Sequence, residues 1–187
     1  MKRLPVLLIS TALLASLTAC TPHDPPHPHS LTGASCLPGH WTADLDDLSQ
    51  QLADSLSDKY DITAHGDTGT QEWIFTAGHR LTSINHFTLD VTATTSEGLT
   101  IETAQNHDGT LHMKWALSGH TLTLTDLDPG DYQVTTTITI TGGSAVSSPA
   151  ELPPGAGFAD PFSAVGTGNG LTIDPGSGFH TTLTRQS

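Results

Sequence analysis

From residue 70 onward the chain alternates between apolar and polar positions. Trp73, Phe75 and Ala77 are interleaved with Glu72, Ile74 and Thr76. Phe87, Leu89, Val91 and Ala93 alternate with Thr88, Asp90, Thr92 and Thr94. Leu111, Met113, Trp115 and Leu117 alternate with His112, Lys114 and Ala116, and Leu122 and Leu124 stand between threonines. Tyr132, Val134, Thr136, Ile138 and Ile140 alternate with Gln133, Thr135, Thr137 and Thr139. A period of two sets one face of a strand against a core and the other in water. The breaks at Ala77-Gly78, Glu97-Gly98, Asp108-Gly109, Ser118-Gly119, Asp128-Pro129-Gly130 and Gly142-Gly143 carry turn residues. Such short connections make successive strands antiparallel neighbours, because parallel pairs need long crossovers. Two closing strands are predicted near Gly170–Ile173 and Phe179–Arg185. Before them, the Pro/Gly-rich stretch from Gly142 to Gly168 reads as a long loop, either a lid or a solvated excursion.

One segment has a different period. Leu45, Leu48, Leu52 and Leu56 form an apolar stripe that predicts an amphipathic helix over Asp44–Asp58. Asp44, Asp46 and Asp47 stand in its first turn, where the helix dipole favours negative charge. Core packing accounts for the leucines, so the helix is assigned no chemistry.

The N-terminus follows another logic. Lys2 and Arg3 precede an apolar run from Leu4 to Leu17. That is shorter than the ~20 residues a membrane span needs, and it fits the apolar region of a secretory signal. Leu17-Thr18-Ala19-Cys20 follows directly and resembles the lipobox of bacterial lipoproteins. The resemblance implies a diacylglyceryl group on the Cys20 thiol, cleavage before Cys20 and acylation of the new amino group. Each buried methylene contributes ~0.8 kcal/mol, so two or three chains anchor durably where one holds only marginally. The expected organisation is a signal peptide over 1–19, a lipidated tether over 20–35 and a β domain over 36–187. The expected location is the extracytoplasmic face of a cell membrane. Pro22, Pro25, Pro26 and Pro28 extend the tether as polyproline II. His23, His27 and His29 lie among them, but a helix of three residues per turn does not converge these rings on one metal.

Charge narrows the partners. The chain has 6 Lys+Arg against 19 Asp+Glu, a net of −13. Loss of Lys2 and Arg3 with the signal leaves four against 19, a net of −15. This surface repels nucleic acid and anionic headgroups, so the lipid must supply the membrane attachment. With Cys20 acylated, Cys36 stands alone, as a small buried thiol or as a partner for intermolecular pairing.

A family likeness enters at Cys36-Leu37-Pro38-Gly39-His40-Trp41. Gly39-x-Trp41 resembles the Gly-x-Trp signature of lipocalin-like (calycin) barrels, whose tryptophan packs across the closed end. Trp115-Ala116-Leu117-Ser118-Gly119-His120-Thr121-Leu122 is similar to a strand-turn-strand phrase of bacterial lipocalin-like domains. The whole chain resembles lipoproteins of high-GC Gram-positive bacteria. The likeness covers most of 36–187. It implies a mainly β fold, an antiparallel up-and-down meander closing into a lipocalin-like barrel, with the helix as a departure that leaves an open or flattened barrel in view. It further implies a small hydrophobic or amphiphilic ligand among the inward residues Trp73, Phe75, Phe87, Leu89, Met113, Trp115, Tyr132 and Ile138. The alternative is an envelope interaction or structural module without a pocket, using the Thr-rich outer faces or the 142–168 stretch.

Catalytic patterns do not assemble. The eleven histidines contain no His-Glu-x-x-His. His79, His107 and His120 fall at turns, and His112 and His180 fall opposite the apolar registers, facing solvent. There is no Gly-x-Ser-x-Gly elbow. Asp44, Asp46 and Asp47 are too clustered for a glycosidase pair. No lysine follows Gly166–Gly170 for a phosphate loop, and Asp126, Asp128 and Asp131 lack EF-hand spacing. The sequence therefore predicts a non-enzyme without metal or cofactor.

Overall fold

The computed structural model describes residues 36–143, 145–150, 160–176 and 178–187. Residues 1–35, with the expected signal peptide, Cys20 and the expected tether, lie outside the described residues. The elements run β1 (Gly39–Ala43), α1 (Leu45–Ser57), β2 (Asp61–Phe75), β3 (Arg80–Thr94), β4 (Thr100–Ser118), β5 (Thr121–Asp128), β6 (Gln133–Ile140), β7 (Val146–Ala150), β8 (Phe162–Thr167), β9 (Gly170–Asp174) and β10 (Thr181–Arg185).

All strand pairings among the described residues are antiparallel, in one sheet of ten strands. Hydrogen bonds close a ring through β1, β2, β3, β4, β5, β8, β9 and β10 and return to β1. Neighbours in the ring follow each other in sequence, except that the β6–β7 hairpin is set aside between β5 and β8.

Three strands outrun the ring. β1 pairs with β2 from Glu72 to Phe75, and β5 pairs with β4 from His112 to Ser118. Beyond these limits β2, β3 and β4 stay paired with one another as far as Asp61, Thr94 and Thr100. β6 adds to β4 from Ile101 to Asp108, and β7 adds to β6. A five-stranded wing thus projects from one end of the ring, by roughly 30 Å at about 3.3 Å per residue.

Inside the ring the alternating residues meet. Trp41, Leu37, Leu81, Leu122 and Leu183 are completely buried, with Phe75, Met113, Trp115, Phe162, Leu171 and Ile173 packed beside them. Phe75 meets Trp115 edge to face at 5.8 Å. At the end away from the wing, Trp41 donates its indole N–H to the Leu37 carbonyl at 3.0 Å. The Arg185 guanidinium lies 4.2 Å over the Trp41 ring and donates to the carbonyls of Pro38 (2.9 Å) and Cys36.

The helix covers the inward face at the wing end. Asp44 caps it, accepting from the Asp47 N–H at 3.1 Å. Buried Ser49 meets His65 Nδ1 at 3.2 Å, and His65 pairs in register with buried Val91. The Gln51 side-chain amide bonds both the N–H (2.8 Å) and the C=O (3.1 Å) of His180, and Thr182 donates to Asp47 at 2.9 Å. Leu48 and Leu52 pack against the core from above.

Four expectations need correction. The alternation starts at Thr70, but β2 begins at Asp61, because its wing half is wet enough to lose the apolar period. Asp108-Gly109 is not a turn: β4 runs through it, with Gly109 at φ 103°. A Cβ there would sit 2.5 Å from the Asp131 carbonyl oxygen, so close backbone approach rather than chain reversal calls for glycine. The 142–168 stretch is not one loop, since β7 and β8 lie within it. β7 is the last strand of the sheet, which is where Pro149 is tolerated, and β8 buries Phe162 and Ala164. Cys36 is disulfide-bonded and is not a lone thiol.

Candidate functional site

Seven of the eight candidate ligand contacts are buried or partly buried. Phe75, Phe87, Leu89, Met113 and Trp115 belong to the packed core, with 2–7% of their surface exposed. Trp73 and Tyr132 are partly buried at its margin. Ile138 stands 41% exposed on β6, because β6 joins the wing and not the ring.

A polar layer crosses the inward face where wing meets ring. Gln71, Asn85 and Gly109 share one rung of β2, β3 and β4, and Trp73, Ser83 and Leu111 share the next. Ser83 and Asn85 are 2% and 1% exposed. Asn85 Nδ2 donates to the carbonyls of Ser83 (3.3 Å) and Gly109 (3.4 Å). Two acceptors on that side fix the amide orientation, so Asn85 Oδ1 accepts from Gln71 Nε2 (2.9 Å) and Ser83 Oγ (3.3 Å). Gln71 is oriented in turn, which leaves its Oε1 buried and, among the described residues, unpartnered, as is Trp73 Nε1. The sequence itself carries a signal for this layer. The buried register of Phe87, Leu89 and Val91, run backward, lands on Asn85 and Ser83.

One step into the wing lies His107, which was expected at an exposed turn. Instead it is half-buried within β4 and stacked on Phe87, with ring centroids 4.4 Å apart. Its Nε2 faces Gln105 Oε1 at 3.3 Å and its Nδ1 faces the Tyr132 hydroxyl at 2.7 Å. A carbonyl oxygen only accepts, so Nε2 carries the proton and Nδ1 accepts from Tyr132. Both nitrogens are engaged. Burial lowers the His107 pKa and raises that of Tyr132 to about 12.

These shifts set a stability window. Below about pH 6.5 the unfolded chain takes up a proton that folded His107 resists, so stability falls with pH. From pH 10 to about 12 unfolded Tyr132 ionises before the folded residue does, so stability falls as pH rises. Discounted for partial exposure, the alkaline loss is about 1–2 kcal/mol. Thermal melts across pH should show both limbs, with Tyr132→Phe flattening the alkaline one and His107→Gln the acid one.

Two depressions mark the outer surface of the described residues. One, of about 180 Å³, lies on the wing between Asp90, Thr92, Glu102, Ala104, Thr137 and Thr139. The other, of about 200 Å³, lies on the ring between Arg80, Thr82, His112, Lys114, Asp126 and Asp128. His112 is solvent-facing, and His180 stands 3.3 Å from Asp47 at the helix latch. No group of three or more metal-ligating side chains occurs among the described residues, and none of their helices is long and apolar enough to cross a membrane. No family model, curated protein or solved structure matches this chain.

Proposed function

We propose that this chain is a lipid-anchored, extracytoplasmic module of lipocalin-like build, in which the barrel is a filled scaffold and the wing is the contact surface for an envelope partner. One observation carries this reading: the inward residues of the ring are packed as core, while Ile138, Ile140 and Val146 of the wing are 41%, 44% and 67% exposed. Thr136, Ser148, Thr103 and Gln105 share their face by register, and no charged residue stands among them in this acidic chain. Charge depletion with exposed aliphatics suits a protein contact. Catalysis has no support from the His107 group, whose donors and acceptors are consumed internally. Cys36, at the ring end opposite the wing, follows the tether directly. An anchored tether therefore holds the wing outward, away from the membrane.

The contact is tested with Ile138→Asp and Ile140→Asp. Both side chains are exposed, so melting temperatures should hold within a few degrees. Cross-linking in the native envelope should lose a defined partner band. An unchanged band pattern rejects the wing as the contact. The anchor is tested by the intact mass of the native protein. A sulfur carries a thioether or a disulfide, not both, and the chain has two cysteines, so acyl mass on Cys20 requires that the Cys36 disulfide is not closed within one chain. A mature chain without acyl mass, with both cysteines oxidised together, rejects lipidation.

A second reading, a small amphiphile at the inward face, is favoured by the unpartnered Gln71 Oε1 and Trp73 Nε1. Saturable uptake of a fluorescent fatty acid, lost in Gln71→Leu, would establish it. Absence of uptake removes it.

A further inference from the structure

The four lysines and arginines of the described residues are Lys59, Arg80, Lys114 and Arg185. Two of them, Arg80 and Lys114, are paired in register and open into the same depression of about 200 Å³. Thr82 and His112, the next outward pair, bond to each other at 3.2 Å on its floor. In a chain with 19 carboxylates, an arginine beside acids should be neutralised. Arg80 is not: among the described residues its guanidinium has no carboxylate partner, although Asp126 and Asp128 line the same depression. Asp126 pairs with Lys114 at 2.7 Å, and Asp128 accepts from the Gly130 N–H at 3.1 Å.

The backbone under this cluster is fixed. The Arg80 carbonyl accepts from Trp115 Nε1 (3.2 Å) and the Thr76 N–H (2.8 Å), and its own N–H bonds Thr76 Oγ1. His79 lies tilted against Trp115, with ring centroids 4.7 Å apart, and bonds its carbonyl at 3.2 Å. Opposite, a β-bulge between His112 and Lys114 inserts one residue into β5. It keeps both Leu124 and Leu127 buried although they are three apart, and it turns Asp126 outward at φ 53°. An aspartate tolerates that left-handed conformation better than most residues.

We propose that this depression binds a phosphate group, with Arg80 as the forked donor, Lys114 as the second cation and the Thr82–His112 pair, one proton of which is held in their mutual bond, as a further donor. Arginine offers planar paired N–H groups that match phosphate oxygens. Asp126 is the internal competitor: it holds Lys114 until an anion draws the ammonium away. The acidic remainder of the chain opposes an incoming anion, and salt screens that opposition beyond about 8 Å. The site is on the ring, within the half of β3 and β4 nearest Cys36, so a tethered chain turns it toward the membrane. Phospholipid headgroups and free phosphate share the chemistry. The lipid source alone rests on the anchoring of Cys20.

The full chain in nonionic detergent is titrated with inorganic phosphate and, separately, with dihexanoyl phosphatidic acid, following backbone amide shifts of Thr82, His112 and Lys114. Saturable shifts are expected with at least one probe. Response to the lipid alone assigns the headgroup, and response to inorganic phosphate assigns the free ion. Arg80→Gln is expected to weaken binding at least about tenfold, and Asp126→Asn to tighten it severalfold by freeing Lys114 while keeping a residue tolerant of positive φ. Lys114→Gln serves if Arg80→Gln disturbs the fold. Absence of saturable shifts with both probes, or equal affinity in the wild type and both charge-removing cation variants, overturns the proposal. An Asp126→Asn variant that binds no better reduces the Lys114–Asp126 pair to a surface ion pair and overturns the competitor role.

Discussion

Replacing Trp41 by alanine is expected to cost about 3–5 kcal/mol. Total stabilities of 5–15 kcal/mol are typical of domains this size, so the variant should be largely unfolded near physiological temperature. Trp41 has no exposed surface, and three separate supports meet on it. Its indole N–H bonds Leu37, its flanks pack in the core, and Arg185 covers its ring. Removing the indole leaves a cavity, orphans the Leu37 carbonyl and strips Arg185 of its platform. β1 also joins β10 to β2 through Trp41↔Arg185 and Trp41↔Trp73, so the loss falls where the ring closes. Arg185→Lys keeps the charge but loses the fork that bonds two carbonyls, and should cost about 1–2 kcal/mol. Urea unfolding of the two variants measures both. A Trp41→Ala midpoint close to wild type would mean that the ring does not depend on this closure.

What the sequence revealed followed the strength of its periodicity. Phe87 to Ala93 and Leu111 to Leu117 alternate because one face of each strand is covered along its length, by core or by α1. The leucine stripe fell where α1 lies for a related reason: the helix has one covered face. The wing halves of β2 and β4 stayed hidden because both faces are partly wet, so His65, Asp67 and Gln105 occupy inward positions without penalty. β8 was obscured by its setting among prolines and glycines. Its two buried hydrophobic residues, Phe162 and Ala164, are too few to establish a period, and the next buried position is Gly166. The site was least visible. His107 looked like a turn residue only because Asp108-Gly109 follows it, and the need for glycine there comes from Asp131, more than twenty residues away in sequence. Arg185 gave no local sign of its role, since the ring it covers lies at the other end of the domain sequence.

The polar layer at the junction supplies the second large effect. Asn85→Ala is expected to cost about 2–4 kcal/mol, because it orphans Gln71 Nε2, Ser83 Oγ and the side-chain bond to Gly109 in a buried setting. Asn85→Asp separates hydrogen bonding from charge. Its carboxyl occupies the same space, but an ionised oxygen would face the Ser83 and Gly109 carbonyls, which offer no proton. Burial and those carbonyls favour the protonated acid, so the folded pKa rises above the ordinary value of about 3.9. A raised acid pKa contributes stability at low pH that is lost as pH climbs past the unfolded value. The gap between Asn85→Asp and wild type should therefore be small near pH 4 and widen toward neutrality in urea titrations. Gln71→Leu combined with Asn85→Leu should restore part of what Asn85→Leu alone loses, since Gln71 Nε2 is no longer orphaned although the Ser83 hydroxyl still lacks its acceptor. If the apolar pair proves as stable as wild type, folding does not require this layer, and the unpartnered acceptor on Gln71 is explained by contact with something outside the fold. If the pair stays as costly as Asn85→Ala, the layer is there to hold β2, β3 and β4 together where they leave the ring.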